Sequence, residues 1–326
     1  MATRTVNIED LYVTTLAKVR KVIHNQVFET NPFYLWLQKK GRMQTQKGGR
    51  KIEKRVRYGK NETVTGIGRG GSVEFAETKH RTVAEYDWKY CTGHIISYFA
   101  DRQKNQGEAA IIKQVEDDIE NLTESTMEWY EEKLYGDGTD DNGKAIDGLL
   151  HFIPDDPTAA TGIGDITSVT NAWWRATVNS MSGYNAVVYL SKFMREIRND
   201  ISKLKSAQRY PDLILTTEDV YGLYEDEIEE RLTIRITDKD MIDLGVGDIK
   251  YKGAAMFWSD DCQAGTMQFL NTSAIDFTYD PTSWLATQDW QDIANQPGDR
   301  VLHMLSAGNL SAKCLKQLGK ITDIST

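Results

Sequence analysis

A mixed α+β fold with a protruding two-stranded arm is what this sequence predicts, and three observations carry that reading. From Asn31 to Asn61 a Pro-started apolar helix runs into a hairpin-like stretch in which ten basic residues, Lys39 to Lys60, face the single acid Glu53. From Gly107 to Asp141 the balance reverses, with twelve acids opposed only by Lys113 and Lys133. After Pro211 a short apolar strand leads into a helix, and the last third of the chain is strand-rich. In a chain of net charge -9, blocks of opposite sign mark surfaces that lie against each other or against partners.

The elements follow in order. Ile8, Tyr12, Leu16, Val19, Ile23 and Val27 recur at spacings of three and four, the stripe of an amphipathic N-terminal helix. Asn31 caps and Pro32 begins a short helix, Phe33 to Lys40, ended by Gly41. Lys51–Tyr58 and Val73–Trp88 alternate imperfectly around a Gly-rich bend, Gly66 to Gly71, and read as a long two-stranded arm with polar faces on both sides. An isolated hairpin of that kind is marginal in water and needs something to lie on. Ile112, Val115, Ile119, Leu122, Thr126 and Trp129 define a long helix, Glu108–Tyr135, with its acids on the opposite face. Pro154, Pro157 and Thr158–Gly164 form a surface loop. A second long helix carries Val187, Leu190, Met194, Ile197, Ile201 and Leu204 on one stripe. Asp212–Thr216 reads as a buried strand, Thr217 as the cap of a helix through Glu230. Strands are expected at Ala254–Ser259, Thr266–Leu270, Ala274–Tyr279 and Arg300–Ala307.

At 326 residues the chain exceeds one ordinary core, which predicts two lobes or one lobe with long excursions. No apolar run reaches a membrane span and the first ten residues are too polar for a signal peptide, so a soluble, intracellular protein without membrane contact is expected. Cys91, Cys262 and Cys314 are odd in number and widely spaced, which argues for small buried hydrophobes rather than disulfides or zinc.

Several motifs imitate chemistry without its context. Gly66, Gly68 and Gly71 satisfy GxGxxG, but strand-like residues follow where a helix is needed. Gly138, Gly143 and Lys144 resemble a phosphate loop, yet Ala145 lacks a hydroxyl for magnesium and Asp140 and Asp141 repel phosphate. Asp137, Thr139 and Asp141 resemble a calcium loop, with Asn142 at the glycine position and Gly148 where the bidentate Glu belongs. His24, His80, His94, His151 and His303 show neither HExxH spacing nor pairing, and no GxSxG elbow exists. The expectation is no catalytic residue, no cofactor and no metal. The basic arm is poor in aromatics and reads as a protein contact rather than a nucleic-acid site.

The succession NPFYLWLQKKGRMQTQKGGRKIEKRVRYGKN (31–61), AEYDWKY (84–90), YGDGTDDNGKAIDGLL (135–150), NAWWRATV (171–178), PDLILTTEDVYGLYE (211–225), GTMQFLNTSAI (265–275) and GNLSAKCLKQLGKI (308–321) resembles the major capsid proteins of tailed bacteriophages. The resemblance covers nearly the whole chain in order. It implies an N-terminal arm and short helix over 1–45, an extended loop over 46–92, a peripheral domain with its spine helix over 93–170, an axial domain over 171–284, and a return to the peripheral domain over 285–326.

It also implies a head protein of the virion, assembled in the host cytoplasm from homo-hexamers and pentamers into an icosahedral shell around double-stranded DNA. Encapsulin compartments share the fold and form the alternative; an enzyme with a nucleotide site at Gly138–Lys144 is the poorer one. Partners implied are other copies of the chain, portal, scaffold and head accessory proteins, and weak non-specific contact with packaged DNA. With about thirty residues before Asn31, scaffolding by a separate protein, or none, is implied. Subunit contacts are expected between Lys47, Arg50, Lys51, Lys54, Arg55 and Arg57 of the extended loop and Glu116, Asp117, Glu120, Glu124, Glu128 and Glu131 of a neighbour's spine helix.

Overall fold

Alternation of side chains along two central strands and a 28-residue amphipathic helix organise the chain. The computed structural model describes residues 32–325 apart from 62, 73, 74, 76, 105–107, 160–161, 203–209 and 230–249. The N-terminal helix expected over Ile8–Val27, Asn31, Leu204 and Glu230 lie outside the described residues. The chain divides into two compact units, one built from residues up to Gly48, Trp88–Gly148 and Phe277–Leu310, the other from Gly49–Asp87, Leu149–Asp276 and Ser311–Thr326.

In the first unit, α1 (Pro32–Lys39) starts at the proline whose fixed φ suits a first helical turn and buries Phe33, Tyr34 and Leu37. Gly41, at φ 64°, turns the chain into β1 (Met43–Thr45). β4 (Lys89–Ser97) pairs antiparallel along its length with β13 (Arg300–Ala312), from Ser97 opposite Arg300 to Lys89 opposite Gly308. α2 (Phe99–Lys104) leads to α3 (Glu108–Tyr135). Val115 and Ile119 of α3 pack on Leu302, Ile95 and Trp290. Thr123 and Thr126, buried in the same stripe, donate their hydroxyls to the carbonyls of Ile119 and Leu122, so neither hydroxyl is stranded. The helix reaches the sheet closely because β4 offers Gly93, where a Cβ would collide with the Leu122 side chain. Around Phe277, the rings of Tyr34, Tyr130 and Trp284 meet at centroid distances of 5.1–6.3 Å, largely edge to face or tilted, and buried Tyr130 donates to Ser306 Oγ at 2.7 Å.

The second unit is a six-stranded sheet in the order β5 (Thr177–Ser180), β14 (Leu318–Thr322), β9 (Met267–Leu270), β6 (Leu213–Thr216), β8 (Ala254–Trp258), β7 (Lys250–Tyr251). All four residues of β6 are buried, as a continuous apolar run in a sheet interior should be. α5 (Ala186–Ser202) and α6 (Glu218–Glu229) cover one face; α4 (Leu149–Phe152) opens this part of the chain. Leu190, Met194, Ile197 and Ile201 of α5 form the core with Ile214, Met256, Met267, Phe269 and Ile321. Val187, expected on the same stripe, is 65% exposed.

Two expectations change. The arm is a short antiparallel ribbon, β2 (Ile52–Arg57) with β3 (Arg81–Tyr86), and its faces are not both polar. Ile52, Lys54 and Val56 on β2 and Ala84 and Tyr86 on β3 are buried, Tyr86 OH donates to the Ala312 carbonyl at 2.9 Å, and Gly164 sits against Ala84 and Tyr86. The base of the ribbon therefore lies on its own chain, and only the other face is solvated. Residues 285–326 do not return to one body: β13 crosses from one unit's segments to the other's, and β14 is hydrogen-bonded between β5 and β9 inside the second unit's sheet. β4 carries no strand signal because its inward Cys91 and Gly93 are small and its outward Tyr90 and Ile96 are apolar, which blurs the period-two pattern.

Gly148 supplies a stringent check. A Cβ there would overlap the backbone carbonyls of Gly136 and Lys133, which cannot move aside like a side chain. Gly148→Ala should lower unfolding free energy by about 1–3 kcal/mol in chemical denaturation, whereas Gly66→Ala, with open space around it, should leave it unchanged.

Candidate assembly interface

On the ribbon, the period of two sorts chemistry by face. Register places Glu53 opposite Glu85, Arg55 opposite Val83 and Arg57 opposite Arg81 on the outward side. Arg55, Arg57 and Arg81 are exposed, as are Lys47 and Arg50 in the chain leading to β2. Among the described residues Arg55 and Arg57 make no ion pair, and beyond them a 23-residue connection, 58–80, carries Val64, Ile67 and Phe75, 83%, 57% and 98% exposed. Tyr58 stacks on Trp173 at 4.7 Å and fixes the start of that excursion.

Two of the six expected contact lysines and arginines are already engaged. Lys54 points inward; its Nζ lies 3.3 Å from Asp276 Oδ2, and Lys313 contacts the same oxygen. The Asp276 side chain is fully buried, so a cation from β2 and another from just after β13 neutralise it in place. Burial holds the Lys54 ammonium below the ordinary lysine value, against the pull of Asp276. Lys54 is therefore corrected from a docking residue to an internal one. Lys51 bonds Asp165 and Glu85 of its own chain, and these bonds raise its pKa. That leaves Lys47, Arg50, Arg55 and Arg57 free to face outward.

On α3, Asp117, Glu120, Glu124 and Glu128 are exposed at spacings of three and four, one continuous acidic stripe opposite the buried Val115–Ile119 side. Like charges at that spacing cost a few tenths of a kcal/mol each, which an external cation relieves. Glu131 is half-buried, and Glu116 shares the helix with its side chain outside the described set.

The imitation motifs resolve into structure. Asp141 and Asn142 both adopt left-handed backbone in a turn at 140–143; Lys133 reaches Glu132 and Asp140, Trp129 donates to Asp141, and Lys89 donates to the Gly143 carbonyl. No group of three or more potential metal ligands exists among the described residues. The GxGxxG stretch is loop, closed by a Gly71 to Gly68 hydrogen bond. Burial pushes the Cys262 thiol up to about 12 and Cys91 up to about 11, the reverse of an activated nucleophile. No helix among the described residues is long and apolar enough to cross a membrane. Sequence reasoning missed Asp276, Glu85 and Asp165, because the partner of a buried charge lies far away in sequence and leaves no local spacing.

No protein-family model and no curated protein sequence matches the chain. Solved structures do. The capsid of cyanophage A-1(L) superposes at TM-score 0.63 with 18% identity, covering 88% of this chain and 91% of that one. The capsid of the myovirus XM1 gives 0.58 at 10% identity over 88% and 91%, and an encapsulin complex of Synechococcus elongatus gives 0.54 at 12% over 89% and 88%. The chain thus has the fold of tailed-phage major capsid proteins, which encapsulins share.

Two checks follow from this geometry. Asp276→Asn strands Lys54 without its counter-charge and should cost about 3–5 kcal/mol of stability, read by denaturant unfolding. The raised thiols make a signed pH prediction: below about 9 both states keep the protons and the stabilisation is complete, while from about 9 up to about 11 for Cys91 and about 12 for Cys262 only the unfolded chain loses them, so stability falls as pH rises. Unfolding midpoints across that range, compared with Cys262→Ala, check the slope, which should flatten in the variant.

Proposed function

We propose that this chain is the building block of a closed protein shell of the phage-head type, self-associating as hexamers and pentamers around double-stranded DNA. The carrying observation is the division of labour on the ribbon: its inner face is committed to the chain's own core, while Arg55 and Arg57 on the outer face have no ion-pair partner among the described residues. The exposed Asp117–Glu128 stripe of α3 has the complementary charge, and a second copy brings the two together. Each exposed pair is worth only about 0.2–1 kcal/mol, but several pairs per contact, repeated around a closed assembly, add up. The likeness in fold to the capsids of cyanophage A-1(L) and phage XM1 supports the same reading.

In this reading the unit containing α3 corresponds to the peripheral domain, the six-stranded sheet to the axial domain, and β2–β3 with its tip to the extended loop. The role is structural rather than enzymatic. Portal, scaffold and accessory proteins complete the head in the host cytoplasm. With 39 basic against 48 acidic residues, and the basic ribbon used between subunits, the wall contains DNA without gripping it.

Arg55→Glu with Arg57→Glu should leave the subunit folded by circular dichroism while abolishing large particles in sedimentation velocity; normal particle yield refutes the interface. Wild-type assembly should weaken as salt rises, because exposed pairs are screened beyond about 8 Å at physiological ionic strength. Electron microscopy of purified particles separates DNA-filled heads from protein-filled compartments. The unassembled subunit should bind duplex DNA no more tightly than about micromolar at physiological salt, measured by fluorescence anisotropy.

A further inference from the structure

His94 and His303 stand directly opposite each other on β4 and β13. The Gln288 N–H donates to the His303 carbonyl at 2.8 Å, so the backbone polar groups of His303 point away from β4 toward the other neighbouring strand. His94 and His303 are therefore a non-hydrogen-bonded cross-strand pair, the arrangement in which opposed Cα atoms approach to about 4.5 Å and side chains come closest. Both rings share the solvent side of the sheet: His94 is exposed and His303 half-exposed, whereas Leu302, Met304 and Ile95 point inward. Their centroids are 6.3 Å apart and the rings are tilted by 52°.

Those dimensions fit one shared ion. A metal–nitrogen bond is about 2.0–2.1 Å and the ring centroid lies roughly 1.2 Å farther, so two rings on one ion have centroids from about 4.5 Å apart when cis to about 6.4 Å when trans, and the observed spacing corresponds to a nearly trans pair. The flanking pairs on this face, Thr92 with Leu305 and Ile96 with Val301, are uncharged. We propose that His94 and His303 form a two-histidine site for a divalent transition-metal ion, with Cu2+ held more tightly than Ni2+ or Zn2+ and water completing the coordination. The site is independent of the shell-forming role.

The test uses the full chain without a histidine tag, titrated with CuCl2. Low-temperature electron paramagnetic resonance should show one Cu2+ per chain with superhyperfine structure from two nitrogens at micromolar protein. The second ring acts at an effective concentration in the millimolar range or above, so His94→Gln and His303→Gln should each weaken binding by at least about tenfold. His80→Gln and His151→Gln should retain wild-type affinity. A wild-type spectrum with one nitrogen or none overturns the proposal, as does unchanged affinity in either of the first two variants. Should those variants fail to fold, the nitrogen count of the wild-type protein decides alone.

Discussion

A carboxylate buried without solvent has to be neutralised where it stands, and the seat of the ribbon in the second unit is built around that requirement at Asp276. The residue sits on β10 (Ile275–Tyr279), and its countercharges come from β2 and from the turn after β13. Three segments distant in sequence are thereby tied at one point, and the ribbon base takes a fixed seat. Hydrophobic burial of Ile52, Val56 and Tyr86 supplies attraction without direction, whereas the ionic cluster selects one register, because a shift of one residue on β2 would send Lys54 into solvent and leave Asp276 with a single cation. Gly164 makes room for the same seat, since any side chain there would meet Ala84 and Tyr86.

A second constraint acts on the long helix. Its 28 residues expose acids along one stripe and bury Val115, Ile119, Tyr130 and Leu134 along another. What seats it is packing of Val115 and Ile119 against Ile95 of β4 and Leu302 of β13, while its buried threonines satisfy their hydroxyls on the backbone. Among the described residues the acids of the outer stripe make no ion pair, and a second copy is the partner proposed for them.

The long helix, the buried β6 strand and the α5 stripe were legible in the sequence because each is periodic over enough residues for one pattern to dominate. The ribbon was legible as two strands but not in its faces: Lys54 looks like every other lysine in the basic run, and only Asp276, 222 positions away, makes it internal. β4 escaped because its small inward residues and apolar outward ones cancel the alternation. β14 escaped because Lys320, buried to 1% exposure and held by Asp155, interrupts what would otherwise read as an apolar strand. For Lys54 and Lys320 the missing information was a long-range partner, which spacing cannot encode, whereas for β4 it was the alternation itself that was absent.

The strict alternation along Ile52–Arg57 has a practical corollary for genetics. Positions 52, 54 and 56 answer to the chain's own interior, and positions 53, 55 and 57 answer to whatever approaches from outside. Within this hexapeptide the parity of the residue number sorts substitutions into two sets, one that shifts the melting curve of the isolated subunit and one that leaves it unchanged and bears on the proposed contact. A saturation screen read out by melting and by particle formation would thus split into two interleaved sets along six consecutive codons.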